Sequence, residues 1–453
     1  MDNTTRILVD YVTQLQFEQL PAAAVEAAKR RLIDTLGCAL GGYASEPAAI
    51  ARRVAARQQG EPAARLIGAG TRTTMEMATF ANCVMARYLD YNDTLISVGS
   101  GHTSDMIPAC LAVAEARNAS GSELLLSIVA AYEVYTGLAD VVPARVLGWD
   151  QGFYVVLGSA AGAAKLLGLT RAQTADALAM AVTANVPTRQ TRSGELAMWK
   201  GCATAASARA GVFSALLAAD GMTGPTAAFE GRHGVRDQVT GPFEFKRFGG
   251  DGAAFGVERS NLKFFPSEYH SQAPLAMALE LRAKVRVEDI EAIDIETYHM
   301  TYSEIGSEPE KWNPQTRETA DHSLPYLLAV ALVDGFITAD SFKLERIRDP
   351  ALRPLMQKIK VAENAQFTAE FPAKLMTQFV VSTRGGGRLT LTAQYPKGHE
   401  QNPMTAAEVD FKFMNLSKPV LGEAQSATLL AALHDIERAP NAGHIIDLMQ
   451  IRQ

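Results

Sequence analysis

The stretch PAAAVEAAKRRLIDTLGCALGG, residues 21–42, sets Val25, Ala28, Leu32 and Leu36 at helical spacing, with Pro21 near the start and Gly41 and Gly42 as the stop. Helix after helix follows. In LTRAQTADALAMAVTANV (169–186), Thr170 and Gln173 have the spacing of a capping box, and Ala177, Ala181 and Ala184 offer a narrow stripe for close packing. The segments GSAAGAAKLLGL (158–169) and GCATAASARAGVFSALLAADG (201–221) are rich in small residues, which suits helices packed tightly inside a bundle. Lys165 and Arg209 and the shortness of both segments exclude membrane insertion.

Near residue 263 the period changes. In IEAIDIETY (290–298), Ile293, Ile295 and Thr297 alternate with Asp294, Glu296 and Tyr298, and LMTQFVVSTRGGGRLTLTAQYP (375–396) reads as two strands joined by a Gly-rich turn. On the second strand Leu389, Leu391 and Ala393 oppose Thr390, Thr392 and Gln394. The helical pattern SLPYLLAVALVDG (323–335) lies between, so 263–401 is expected to be an α+β domain. After NPMT (402–405) the pattern is helical again, and residues 402–453 are expected to return to the all-helical domain of residues 1–262. The fold class expected is mainly α.

A chain of 453 residues with 47% hydrophobic and 20% charged residues can build large cores. Its net charge of −6 forms no basic stripe, so nucleic acid is not an expected partner, and an anionic ligand would need local positive charge. MDNTTRILVDYVTQLQ lacks a basic segment followed by an apolar one, and no long apolar run occurs, which predicts a cytoplasmic protein without membrane contact. Cys38, Cys83, Cys110 and Cys202 are far apart and form no CxxC, which supports neither a disulfide framework nor a zinc or iron–sulfur site.

Titratable residues concentrate in four places. RYLDYNDTLISVGSGHTSD (87–105) carries Asp90, Asn92, Asp93, Thr94, His102 and Asp105, with small residues around His102 and a helix expected to start at Ser104. That helix start would offer N–H groups to a carboxylate ligand, or Ser104 would simply cap it. RQTRSGELAMWKG (189–201) sets Arg189, Arg192, Glu195 and Lys200 around a Ser193-Gly194 bend, cations suited to a polycarboxylate, although a solvated turn would carry the same residues. NLKFFPSEYHSQ (261–272) surrounds an aromatic-proline corner with Lys263, Glu268, Tyr269 and His270 at the domain junction. TRETADHSLPY (316–326) holds Arg317, Glu318, Asp321 and His322 before an apolar helix, fitting either a cap at Asp321 or Ser323 or a place in a site or dimer.

HExxH and His-rich spacings are missing, so no metal site is expected; GxGxxG, GxxxxGK[ST] and GxSxG are missing too.

Taken in order, YLDYNDT with GHTSD, RQTRSGELAMWKG, KFFPSEYHSQ, RETADHSLPY and NPMT resemble the MmgE/PrpD family over nearly the whole chain. That family includes 2-methylcitrate dehydratases, cis-aconitate decarboxylases and iminodisuccinate epimerases, and the resemblance is strongest to the bacterial 2-methylcitrate or citrate dehydratase type. It implies a large helical domain made by both chain ends, a smaller α+β lid, a homodimer, and cofactor-free and metal-free chemistry between the domains. It assigns catalytic roles to Asp90, Thr94, His102 and Lys200, and with the cation pattern it implies polycarboxylate binding by Arg189, Arg192, Gln151, Lys263 and His270. Two departures stand out: Gln151 in GWDQG takes the place of a common histidine, and Thr103 that of a proline.

The reaction expected is metal-independent β-elimination of water from a hydroxylated tricarboxylate such as 2-methylcitrate or citrate, with His102 and Asp90 as the acid/base pair. Glutamine exchanges no proton at neutral pH, so decarboxylation or epimerisation of a related polycarboxylate, or binding without turnover, stand as alternatives.

Overall fold

The computed structural model describes residues 1–193, 196–250 and 252–451. Its longer helices are α1 (Asn3–Gln14), α2 (Ala22–Gly42), α3 (Glu46–Ala55), α4 (Met75–Tyr88), α5 (Ile107–Ala116), α6 (Gly121–Ala139), α7 (Gly152–Leu167), α8 (Arg171–Ala184) and α9 (Ala203–Ala219). These are followed by α10 (Gln272–Lys284), α11 (Leu324–Asp334), α12 (Ala406–Leu421) and α13 (Glu423–His434).

Two separate hydrophobic cores organise the chain. The larger draws on residues from Leu8 to Leu262 and again from Met404 to Met449; the smaller lies entirely between Phe265 and Leu391. α12 and α13 therefore pack into the first core, through Val409, Phe413, Leu429 and Leu433.

In α2 every residue from Arg31 to Leu40 is buried, so this helix runs through the middle of its lobe rather than along its surface. The charge this buries is paired: Asp34 on α2 lies 2.6 Å from Lys412 on α12. The small residues of α7 and α9 permit backbone contact, since a Cβ on Gly211 would stand 2.5 Å from the Val156 carbonyl oxygen. The box of Thr170 and Gln173 caps α8 as its spacing predicts. The alanine stripe is shorter than expected: Ala177 and Ala181 are buried, but Ala184 reaches solvent at the helix end.

The smaller lobe carries a sheet in the order β4-β3-β5-β6, from β3 (Ile290–Thr297), β4 (Ile359–Glu363), β5 (Thr377–Thr383) and β6 (Arg388–Ala393). β4 runs parallel to β3, while β5 and β6 form the expected antiparallel hairpin, pairing Phe379 with Leu391 and Val381 with Leu389. Along β3, Ile293, Ile295 and Thr297 are buried and Asp294 and Glu296 exposed. Tyr298 departs from the expected alternation: the strand ends at Thr297, and the Tyr298 ring turns inward at 2% exposure to stack on Phe371. A short pair, β1 (Ala63–Arg65) and β2 (Arg72–Thr74), sits apart in the helical lobe.

Among the described residues no helix is long and apolar enough to cross a membrane. All four cysteines are free and buried.

Candidate active site between two cores

Asp90 follows α4 in a backbone conformation that L residues rarely adopt, with φ of 50°. Asp tolerates the left-handed region better than most side chains, and three cations hold it there. Its Oδ1 accepts from Arg87 Nη1 at 2.8 Å and from Lys263 Nζ at 2.6 Å, and its Oδ2 lies 3.3 Å from Lys200 Nζ. Burial alone would raise the Asp90 pKa; Arg87, Lys263 and Lys200 outweigh it and hold the carboxyl well below the usual range.

The loop from Asn92 to Asp105 is braced from inside. Asp93 is fully buried and accepts from the Ser104 N–H at 2.7 Å, Thr103 Oγ1 at 2.9 Å and Tyr132 OH at 2.8 Å. The helix-start N–H expected to meet a ligand thus meets this internal carboxylate, and Ser104 is not the cap: a short turn, Thr103–Met106, precedes α5 with His102 in the capping position. Asn92 Nδ2 donates to Ser104 Oγ and to Asp105 Oδ1, each at 2.8 Å. Thr94 Oγ1 donates to the Gly101 carbonyl at 3.2 Å, and Thr94 pairs by its backbone with Asn261, two residues before Lys263.

This bracing orients His102. Its Nδ1 stands 2.7 Å from the Asp93 backbone oxygen, which can only accept, so the proton resides on Nδ1 and the Nε2 lone pair is turned toward Asp90 Oδ1, 3.6 Å away. Burial, then Arg87 and Lys263, hold this ring well below the ordinary histidine pKa, leaving it neutral at pH 7. Gln151, at the head of α7, accepts from the His102 N–H through Oε1 at 2.5 Å and from Tyr135 OH at 3.3 Å. The N–H donor fixes which end of the amide is oxygen.

The second lobe supplies the opposite wall. Lys200 Nζ sits 3.2 Å from Asp321 Oδ1 and 3.1 Å from His322 Nδ1, and His322 Nδ1 lies 2.5 Å from Asp321 Oδ1. Ser323, the next residue, caps α11. His270 Nδ1 meets Tyr298 OH at 2.6 Å, and burial, Arg145 and Lys263 push its pKa down to about 3. Glu268 accepts from the His270 N–H at 2.6 Å, and burial raises its carboxyl pKa.

Asp90, Thr94, His102, Gln151, Arg189, Arg192, Lys200, Lys263 and His270 all line one cavity of about 110 Å³ between the lobes. Arg192 is anchored to Asp150 at 2.7 Å, and Arg145 and Arg189 both reach Glu304. Gly194 and Glu195 lie outside the described residues. Among the other wall residues, Glu268, Tyr269 and His322 lie in polar segments that the sequence singles out, whereas Arg145 and Glu304 are not predicted. His322 and Asp321 had a local signal in TRETADHSLPY; Arg145 and Glu304 stand alone in their segments and had none.

Asp90, Asp321 and His322 bring their ligand atoms within 4.8 Å of one another, a spacing a metal could use. The Lys200 ammonium already stands 3.1–3.3 Å from an atom of each, so a fixed cation occupies the place a metal would take.

A family model for the MmgE/PrpD N-terminal domain matches residues 6–247, and one for the C-terminal domain matches 265–437. The second match includes α12 and α13, which pack into the first core. The 2-methylcitrate dehydratase of Cupriavidus necator is 29% identical over 94% of this chain and 92% of its own length. That of Salmonella typhi is 29% identical over 86% of this chain and 85% of its own. The mitochondrial 2-methylcitrate dehydratase of Yarrowia lipolytica is 27% identical over 95% of this chain and 87% of its own. With one model covering more than half the chain and the other most of the remainder, the protein belongs to the MmgE/PrpD family.

Proposed function

We propose that the protein is a hydro-lyase that removes water from a hydroxylated tricarboxylate such as 2-methylcitrate or citrate, by acid/base β-elimination and without a metal. The observation that carries this is the charge of the cavity wall around a neutral base. Arg87, Arg145, Arg189, Arg192, Lys200 and Lys263 line the cavity beside Asp90, Glu268 and Glu304, with Asp150 and Asp321 holding Arg192 and Lys200 from behind, so the wall presents cationic donors at fixed positions to a substrate of several carboxylates. The dehydratase names of relatives matched over 85–92% of their own length support the same reaction class.

His102 is the base. Its free Nε2 removes a proton from the carbon beside a carboxylate, and the charge that develops on that carboxylate is met by preorganised cations, Arg189, Arg192, Lys200 and Lys263 among them. Asp90 takes a different role from the one its position in the sequence suggested. A carboxylate locked to three cations carries no proton to donate and has its oxygens committed to them, so it orients Lys200, Lys263 and His102. Thr94, Gln151 and His270 shape the pocket around the substrate.

The test is hydration of cis-aconitate or 2-methylaconitate, followed by loss of the conjugated double bond's absorbance. Turnover by the wild type, lost in His102→Ala and Lys200→Ala variants that remain folded, is expected; a folded wild type without turnover would sink the assignment. Gln151 favours a second reading. Decarboxylation or epimerisation would use the same base and cations without protonating a hydroxyl, and product analysis on the same acids separates the three. The reading includes a cytoplasmic homodimer, whose mass in solution would be twice the 48.7 kDa of the chain.

A further inference from the structure

Dehydration needs a second proton-transfer group, and among the described residues the helical lobe offers the cavity one imidazole, His102. Position 151 carries an amide whose oxygen is committed to the His102 N–H. Two imidazoles, one from each core, approach the same carboxylate from different sides: His102 Nε2 lies 3.6 Å from Asp90 Oδ1, and His322 Nε2 lies 3.9 Å from Asp90 Oδ2.

We infer that His322 is the acid that protonates the departing hydroxyl, opposite His102 across the Asp90 carboxylate. This rests on the hydro-lyase reading above. The two rings are held differently. His102 Nδ1 is bonded to a neutral backbone carbonyl, whereas His322 Nδ1 stands between the Asp321 carboxylate at 2.5 Å and the Lys200 ammonium at 3.1 Å. Protonated at both nitrogens, His322 donates to Asp321 at one end and faces Asp90 at the other, a state reached once substrate carboxylates draw Lys200 away from Nδ1, which accepts from that ammonium only while it carries no proton. Arg317 Nη1 stands 3.5 Å from Asp321 Oδ2 and its guanidinium packs over Tyr88, which fixes the Asp321 carboxylate.

The charged groups facing His322 are Asp90, Asp321 and Lys200, with Glu268 across the cavity. In the empty cleft burial and Lys200 keep the ring neutral; substrate carboxylates drawn to Lys200 add the negative charge that favours its protonation. His270 is a poorer choice, because its Nδ1 meets a neutral hydroxyl, that of Tyr298, rather than a carboxylate, and burial, Arg145 and Lys263 disfavour its protonated form.

The step balances without a redox partner. His102 Nε2 takes the proton from carbon, and the C–H electron pair becomes the new C=C bond. The C–O bond breaks with its pair passing to oxygen, which takes the Nε2 proton of His322 and leaves as water. His102 ends protonated and His322 neutral, and each exchanges one proton with solvent before the next turnover.

The experiment follows dehydration and the exchange of the substrate's abstracted proton with D2O in parallel. His322→Gln is expected to lower kcat about 100-fold or more with KM within about threefold of wild type, while C–H exchange continues; His102→Gln is expected to lose both. Unimpaired dehydration in His322→Gln, or loss of exchange along with dehydration, overturns the assignment. If that variant fails to fold, Asp321→Asn carries the test: the pH at which kcat falls on the alkaline side should drop by about one unit or more, and an unmoved profile counts against His322. A wild type that turns over no hydroxylated tricarboxylate refutes the hydro-lyase reading instead.

Discussion

Lys263 donates to Asp90 twice, to its backbone carbonyl at 2.7 Å and to its Oδ1 at 2.6 Å. It stands at the chain's crossing from the first core to the second, so one side chain ties the left-handed turn after α4 to the entry of the smaller lobe. The conformation of Asp90 and the meeting of the lobes are thereby coupled.

Asp90→Asn leaves Arg87, Lys200 and Lys263 buried without their common counter-charge. Removing one partner of a buried ion cluster costs about 3–5 kcal/mol. Urea unfolding should show a loss of that order at an unchanged slope, together with loss of turnover.

Gly101→Ala tests the positioning of the base. A Cβ there would collide with Gln151 Oε1 and Tyr135 OH, displacing the amide that holds the His102 N–H. A shift of about 1 Å in a catalytic group costs on the order of 10²-fold, so kcat should fall by that factor while the thermal midpoint moves little.

Arg189→Ala should act on binding. Arg189 lines the cavity, and its guanidinium stands 3.5 Å from Glu304, within reach of a substrate carboxylate. Losing a charge-assisted contact of about 1.5–3 kcal/mol predicts a KM raised about 10- to 100-fold with kcat nearly unchanged, read from initial rates.

Asp105 predicts a pH-dependent stability. Burial, only partly offset by Arg87, pushes its folded pKa up to about 6 from an ordinary 3.8. The folded state then binds more protons than the unfolded one between those values, so this group's stabilising effect is full below about pH 4 and is lost as pH rises through 6. Asp105→Asn should stabilise the protein by about 1–3 kcal/mol at pH 7.5 and not at pH 3.5, in denaturant titrations at the two pH values.

Chelation should leave the reaction untouched. Lys200 Nζ occupies the space among Asp90, Asp321 and His322, so turnover after EDTA treatment should stay within about twofold of the untreated enzyme, and added divalent cations should not raise it.

Much of the fold was legible because its signals are local. The period of 21–42, the box of Thr170 and Gln173 and the alternation around Leu389 each depend on a few neighbouring residues, and α2, α8 and the β5–β6 hairpin form where those patterns lie. Tyr298 and Ala184 depart from the local pattern where an element ends, since periodicity does not say where a strand stops or a helix end meets solvent.

Composition and motif spacing by themselves determined a mainly helical chain with an α+β insertion and four polar segments able to carry chemistry. Only the tertiary structure decided where the groups in them stand and what each one meets. Asp93 and Asn92 became internal braces, Asp90 a carboxylate locked by three cations, and His322 a ring reaching that same carboxylate from the other core. The reason is physical: the protonation and orientation of each group are set by charges and carbonyls that lie far away along the chain and meet only when the two cores close on one another.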